Sequence, residues 1–64
     1  ALTPREQAIL QAVAEGLTTA AVSKHLWVSE HTVKFHLTNI YRKLGVANRA
    51  GAIRYALENG LAAA

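Results

Sequence analysis

The sequence predicts an all-α protein, a four-helix bundle, and three observations support this fold class. Apolar residues recur every three or four positions, as on one face of a helix, and strand-like alternation is absent. Three glycines, Gly16, Gly45 and Gly60, each follow such an apolar segment, where helix C-terminal caps are expected. A residue able to cap a helix N-terminus precedes each segment. The predicted helices span about 4–15, 19–26, 30–44 and 49–59.

The first helix begins after Thr3, which suits the N-cap position. Pro4 fits the first helical position, and Glu6 lies three residues after Thr3, as a capping box requires. We expect Glu6 either to cap this helix or to pair with an arginine at the edge of the core. The apolar residues of this helix, which form its inward face, are Ile9, Leu10, Val13 and Ala14.

The second helix begins after Thr18 as N-cap, with Lys24 and His25 predicted on its outer side. Only residues 27–29 separate it from the third helix. So short a connection makes the two helices cross steeply, as in a helix-turn-helix. Trp27 lies in this connection, and we expect so large a side chain to pack partly on the surface.

The third helix has the strongest signals in the chain. Ser29 can cap its N-terminus, Glu30 lies at the positive end of the helix dipole, and Gly45 can end it. Its apolar residues, Val33, Leu37, Ile40 and Leu44, are spaced by four, three and four positions. At about 100° per residue they form one stripe, which we expect to face the core.

The opposite face of the third helix is cationic and carries an aromatic ring. It consists of His31, Lys34, Phe35, Thr38 and Arg42. A solvated basic face is the simplest interpretation of such a pattern. Phe35 argues for a covered surface, because an exposed phenylalanine lowers solubility. The alternative is that Phe35 covers part of the turn at Trp27.

The fourth helix begins after Asn48, a suitable N-cap, and ends before Gly60. Its apolar residues are Ala52, Ile53, Ala56 and Leu57. Gly51 is unexpected in the first turn, where it should cost up to about 1 kcal/mol relative to alanine. The last three residues, 62–64, are predicted to fray.

Composition restricts the possible functions. Sixty-four residues allow one small domain, spanning 1–64, and a net charge of +3 with a pI near 9.8 favours a polyanionic partner. The absence of cysteine excludes disulfides and fits a reducing compartment. No transmembrane segment or signal peptide is recognisable, so we expect a cytoplasmic protein that does not bind membranes.

Catalytic and metal sites are not predicted. The chain has no aspartate and no cysteine, and its four glutamates are scattered over different helices. His31 and His36 lie five positions apart, about 140° around the helix, so they cannot chelate a metal from one face. We therefore expect no enzyme, no metal and no cofactor.

Several motifs together resemble one family. They are Thr3-Pro4-Arg5-Glu6, Glu15-Gly16-Leu17-Thr18, the run from Val28 to His36, Asn39-Ile40, Lys43-Leu44-Gly45-Val46 and Asn48-Arg49. In order and spacing the chain resembles the LuxR/NarL-type (GerE-like) DNA-binding domain over essentially its whole length. The resemblance implies four helices, of which the second and third form the helix-turn-helix and the third reads the major groove.

The resemblance also implies a function, namely transcription regulation by a dimer that binds double-stranded DNA. The fourth helix would form the homodimer contact, and RNA polymerase is a further expected partner. In this family the domain is usually the C-terminal effector part of a longer regulator. The remainder of such a regulator is often a receiver domain, as in a response regulator, or a small-molecule sensor.

Site residues are carried over from the resemblance position by position. Lys34, Phe35 and Thr38 stand where the family faces base edges, and Thr18, Ser29, Thr32 and Lys34 stand at its backbone-contacting positions. Ala20 and Ala21 depart from a charged pair that the family often has. The complete predicted DNA-binding set is Thr18, Lys24, Ser29, His31, Thr32, Lys34, Phe35, Thr38 and Arg42. The predicted dimer contact is Ala52, Ile53 and Ala56.

Two other functions remain open at this point. The basic face could meet an acidic protein, or the domain could read promoters as part of a sigma factor. Salt-dependent binding to duplex DNA would argue against the first, and the apolar strip on the fourth helix argues against the second. Several cations are expected to neutralise phosphates, drawn from Lys24, Lys34, Arg42, Lys43 and Arg49.

Overall fold

A computed structural model describes residues 1–61, which form four α-helices and no strand. The helices are α1 (Pro4–Ala14), α2 (Thr19–Leu26), α3 (Glu30–Leu44) and α4 (Arg49–Glu58). The all-α prediction is confirmed, and α2 and α3 have the predicted bounds. The first and fourth helices each end one residue before the predicted position. The fraying predicted for residues 62–64 lies outside the described residues.

Each helix begins with a side-chain cap. At α1 the Thr3 hydroxyl accepts from the Glu6 N–H at 3.1 Å, and the Glu6 carboxylate accepts from the Thr3 N–H at 2.9 Å. This is the predicted capping box, and it satisfies two amides that the helix leaves unpaired. The N-caps of the other helices each accept from the third helical amide, and they are Thr18, Ser29 and Asn48.

The core lies between α1 and the three other helices, all of which pack against α1. Its largest side chains with less than 2% exposure come from α1, α2 and α3. The complete buried apolar set is Ile9, Leu10, Val13, Val22, Val33, Leu37, Ile40, Ala52 and Ala56. The periodicity of α3 therefore predicts its buried face, apart from Leu44, which is half-buried at the edge of the core.

The inner face of α4 consists of small residues. Ala52 and Ala56 are 0% exposed and let α4 approach α1 and α3 closely. Their side chains are enclosed within one protomer and cannot contact a second copy, so the dimer role expected for these two alanines is wrong. Ile53 is only half-buried and stays a candidate for that contact.

Two cations connect elements that are distant in sequence. The Lys43 ammonium lies 2.8 Å from a Glu6 carboxylate oxygen, which ties the end of α3 to the start of α1. The Arg49 guanidinium, at the start of α4, donates to the Leu17 carbonyl. Glu6 thus has both expected roles, but its partner is a lysine. The hydrogen bond from Lys43, followed by that from the Thr3 amide, lowers the pKa of Glu6.

Gly51 is explained by a close approach of the chain. A Cβ atom at this position would lie 3.0 Å from the Cβ of Val46 in the preceding loop. So short a contact between Cβ atoms is rare, and a larger residue here would require Val46 to move by a few tenths of an ångström. The glycine is therefore suited to this first turn, whatever its low helix propensity.

The turn between α2 and α3 is formed by a left-handed tryptophan. Trp27 has φ 61° and ψ 38°, and 93% of its surface is exposed to solvent. It does not pack on the surface, contrary to the expectation from its size. A side chain in this conformation costs about 1–2 kcal/mol relative to a right-handed one. Backbone bonds hold the turn, including one from the Val28 N–H to the Ser23 carbonyl at 3.1 Å.

The two ends of the described chain lie together. Ala1, Leu2 and Leu61 line one surface cavity of about 230 Å³, next to the end of α3. Within residues 1–61 no helix is long and apolar enough to cross a membrane. The same residues contain no group of three side chains placed to hold a metal ion.

Candidate nucleic-acid interface

The outer face of α3 is open over its whole length. All five residues predicted on it are exposed, and they are His31, Lys34, Phe35, Thr38 and Arg42. They span about 100° of the helix, opposite the buried stripe. The face therefore presents two fixed cations, one imidazole, one hydroxyl and one aromatic ring to whatever lies against it.

Two polar side chains on this face are oriented by bonds within α3. The Thr38 hydroxyl donates to the Lys34 carbonyl at 3.0 Å, so the Thr38 oxygen keeps its acceptor sites for an outside donor. The Arg42 guanidinium donates to the Asn39 side-chain oxygen. Because a guanidinium has five N–H donors, Arg42 keeps both its charge and further donors for a ligand.

Hydroxyl groups lie at the N-termini of α2 and α3, the two helices of the helix-turn-helix. The Ser29 hydroxyl accepts from the Thr32 N–H at 3.1 Å and lies 3.0 Å from the Thr32 hydroxyl. Thr18, the exposed cap of α2, accepts from the Ala21 N–H at 3.1 Å. The Ser29 cap pairs the amide of Thr32 and leaves those of Glu30 and His31 without an intrahelical partner, at the positive end of the helix dipole.

The cations predicted to meet phosphates fall into two groups. Lys24 and Lys34 are exposed, and their ammonium groups bond to no other group within residues 1–61. Lys43 and Arg49 are engaged by Glu6 and Leu17, as described above. The expectation that several of the five cations meet phosphates therefore narrows to those without a distant partner, because sequence proximity does not show that Lys43 and Arg49 connect separate elements of the fold.

Phe35 is 62% exposed at the centre of the outer face. Its ring meets His36 edge to face, with the centroids 5.9 Å apart. The alternative that Phe35 covers the turn at Trp27 is not supported, because Trp27 is 93% exposed. Phe35 is therefore a large apolar group that the folded chain leaves available.

A second exposed patch, on α4, was not singled out from the sequence. Leu57 is 48% exposed, and Ala50 and Ile53 lie on the same side of the helix, opposite the buried alanines. The helix thus has apolar residues on two faces. The apolar residues of this second face lie at i, i+3 and i+7 from position 50, but a sequence pattern alone does not say which face is inside.

Four helices, with residues 27–29 as the only connection between α2 and α3 and with an open cationic face on α3, define a helix-turn-helix domain of the regulatory class. Comparison with known families gives the particular group. The family model described as bacterial regulatory proteins, luxR family, matches residues 1–56. The chain belongs to this family, which confirms the resemblance drawn from its motifs.

Relatives and a solved structure agree with this assignment. The chain is 45% identical over 60 residues to the transcriptional regulatory protein YdfI of Bacillus subtilis, covering 94% of the chain and 28% of the relative. It is 52% identical over 60 residues to RpaR of Rhodopseudomonas palustris, a quorum sensing-dependent transcriptional regulator, covering 94% and 25%. The response regulator ChrA of a heme-sensing two-component system matches with a TM-score of 0.87 and 48% identity, covering 95% and 30%.

These similarities establish the class of function. The chain is a helix-turn-helix domain of a transcriptional regulator, which implies DNA binding and transcription regulation, and it is not an enzyme. It spans between a quarter and a third of the length of the proteins named above.

Proposed function

We propose that the chain binds double-stranded DNA in a sequence-specific manner as a homodimer, with α3 in the major groove. The observation that carries this proposal is the open outer face of α3, where cations, a hydroxyl and an aromatic ring lie side by side. A major groove about 12 Å wide admits an α-helix, and side chains on one face of that helix can reach base edges.

Three residues are proposed to read bases. The Lys34 ammonium can donate to O6 and N7 of a guanine, and the exposed Phe35 ring can contact a thymine methyl. Thr38 is directed as an acceptor, because its proton is engaged by the Lys34 carbonyl. It is therefore suited to accept from an exocyclic amine, that of adenine or cytosine.

The other predicted residues are proposed to hold the phosphates. Arg42 and Lys24 supply charge, and His31 lies exposed in the first turn of α3. Hydroxyl groups at or near the caps can donate hydrogen bonds to phosphate oxygens, as serine and threonine side chains often do in protein–DNA interfaces. The hydroxyls in question belong to Thr18, Ser29 and Thr32.

Selection of bound sequences from a random duplex library tests this function. We expect an enriched site and an affinity that falls with salt, by about 0.9 log units per log unit of salt for each phosphate contact. Enrichment of no sequence, combined with binding to an acidic protein, would favour an interaction module instead. Enrichment of a promoter element only in the presence of core polymerase would favour a sigma-like role.

Phe35 offers a specific test of base reading. Phe35→Ala should relax the preference for one thymine and leave the salt dependence unchanged, because no phosphate contact is removed. Its melting temperature should stay close to that of the wild-type chain, since the ring is 62% exposed. A variant that melts several degrees lower and keeps its sequence preference would make Phe35 a packing residue.

The dimer contact is proposed on the outer side of α4, through Ile53, Leu57 and Ala50. So small a surface supports only weak association in solution, and two half-sites about one helical turn apart would strengthen it. Leu57→Arg should therefore abolish occupancy of paired half-sites and spare single ones. Glu58→Gln raises the net charge of the same helix by the same one unit, by removing a carboxylate, and is the control. A footprint over paired half-sites that Leu57→Arg leaves intact would contradict this contact.

We further infer that the domain acts as the effector part of a longer cytoplasmic regulator that contacts RNA polymerase. The 25–28% share of YdfI and RpaR that it covers supports the first part of this inference. An immunoblot for the native polypeptide tests its length. Transcription in vitro with purified polymerase tests the contact, since a domain that only occludes a promoter would repress and never activate.

A further inference from the structure

We propose that Trp27 makes a further DNA contact, of a different type. Its indole lies against the sugar-phosphate backbone, beside the bases that α3 reads. This inference rests on the proposed DNA binding and adds a contact to it. Trp27 belongs to none of the sets predicted from the sequence. Its role would be to hold the register of the domain on the duplex rather than to recognise a base.

The folded chain gains nothing from the indole. Trp27 is 93% exposed, and its left-handed φ of 61° is a conformation that glycine adopts far more easily. The hydrogen bonds that hold the turn are made by backbone groups, which any residue could supply. The side chain is therefore unfavourable for solubility and for backbone conformation, and no contact within residues 1–61 offsets either effect.

The surroundings of Trp27 match a phosphate backbone. Lys24 and His25, in the last turn of α2, are exposed, and Ser29 caps α3 two residues after the tryptophan. Glu30 is the carboxylate nearest in sequence, at the first position of α3. The Lys24 cation thus lies three residues before the indole and the Ser29 hydroxyl two residues after it, and both belong to the proposed interface. An apolar peptide would have no groups to pair with these polar side chains.

The chemistry of indole decides the kind of contact. Its N–H is a donor with no acceptor beside it, which suits a phosphate oxygen, and its ring can cover a deoxyribose. Neither group distinguishes one base pair from another. Loss of Trp27 should therefore weaken binding to all sequences alike, in contrast to loss of Lys34 or Phe35.

Two substitutions separate this role from a structural one. With a fluorescein-labelled random duplex pool, we expect Trp27→Ala and Trp27→Gly to bind about tenfold more weakly, as loss of one hydrogen bond to a charged group predicts. Site preference in a selected library should not change. The glycine variant should melt at the wild-type temperature or above it, because glycine accepts a positive φ. Wild-type affinity in both variants would overturn the proposal.

The intrinsic fluorescence of the chain gives an independent measurement, because Trp27 is its only tryptophan. On adding unlabelled duplex to the wild-type chain, we expect quenching of the indole by acrylamide to fall severalfold. Unchanged quenching, while labelled duplex shows binding, would mean that the indole faces solvent or another partner, and would refute the contact. Absence of duplex binding by the wild-type chain would instead refute the proposed function itself.

Discussion

The two cations Lys34 and Lys43 lie on the same helix and have opposite roles. Lys34 is exposed on the outer face of α3 and bonds through its ammonium to nothing within residues 1–61. Lys43 lies 2.8 Å from the carboxylate of Glu6 and joins α3 to α1. Arg42 and Arg49 differ in a similar way, since Arg42 bonds to its neighbour Asn39 and Arg49 bonds to the distant Leu17 carbonyl.

The difference shows that positive charge in a sequence does not by itself identify a DNA contact. The net charge of +3 includes both groups of cations. The charge of Lys43 is already paired with a carboxylate in the fold, whereas Lys34 need only shed water and counterions to meet a phosphate. Substitutions can therefore assign each cation, because stability and salt dependence should change in different variants.

The largest effect on stability is expected at Arg49. Arg49→Met keeps most of the side-chain length but removes the bond to the Leu17 carbonyl, which should cost about 1.5–3 kcal/mol, as for hydrogen bonds to charged groups. In a domain of this size that lowers the melting temperature by roughly 4–8 °C per kcal/mol. The salt dependence of DNA binding should not change. A variant that melts normally but has a weaker salt dependence would place Arg49 among the phosphate contacts.

The largest effect on recognition is expected at Lys34. Lys34→Ala should lose about 1–3 kcal/mol of binding free energy on the selected site and relax the preference for one guanine. Its melting temperature should be close to wild type, because the side chain is exposed. Lys24→Ala is the matched control, since it removes an exposed cation outside α3. Equal losses on every sequence in both variants would show that Lys34 contacts only phosphate.

Arg42 should affect affinity without affecting preference. Arg42→Ala is expected to weaken binding to all duplexes similarly and to reduce the slope of log affinity against log salt by about one. Titrations at several salt concentrations, on the selected site and on a scrambled one, measure both quantities. A change of preference at one base pair would instead assign Arg42 to base reading.

The smallest effect is expected at Lys43 and depends on pH. The pKa of Glu6 lies below its ordinary value of 4.5, chiefly because of the hydrogen bond from Lys43. A lowered folded-state pKa stabilises the fold above the unfolded value, and this contribution disappears as pH falls below 4.5 through the folded value. Lys43→Met should therefore melt slightly lower at neutral pH and lose less stability on acidification. Parallel melting curves from pH 7 to 3 for both proteins would contradict this.

Local features of the fold could be predicted from the sequence. The caps Thr3, Thr18, Ser29 and Asn48 set the helix starts, because a cap involves residues only three positions apart. The outer face of α3 followed from its periodicity for the same reason. These signals act within one helix, so they are independent of how the helices pack.

Features that depend on packing between helices could not be predicted in this way. Glu6 and Lys43 are separated by 37 positions, and no local pattern connects them. The sequence predicts Ala52 and Ala56 at a dimer contact, whereas the structure buries them, because α4 is apolar on two faces and only the fold shows which one is covered. Trp27 was expected to pack, since nothing local shows that the turn leaves it exposed.

The meeting of Ala1, Leu2 and Leu61 at one cavity has a consequence for how such a domain can be rearranged. Because the described chain enters and leaves at the same place, a short linker could join its ends, and new termini could be opened in the loop between α1 and α2. Such a circular permutant would keep every helix and every side chain of the α3 face.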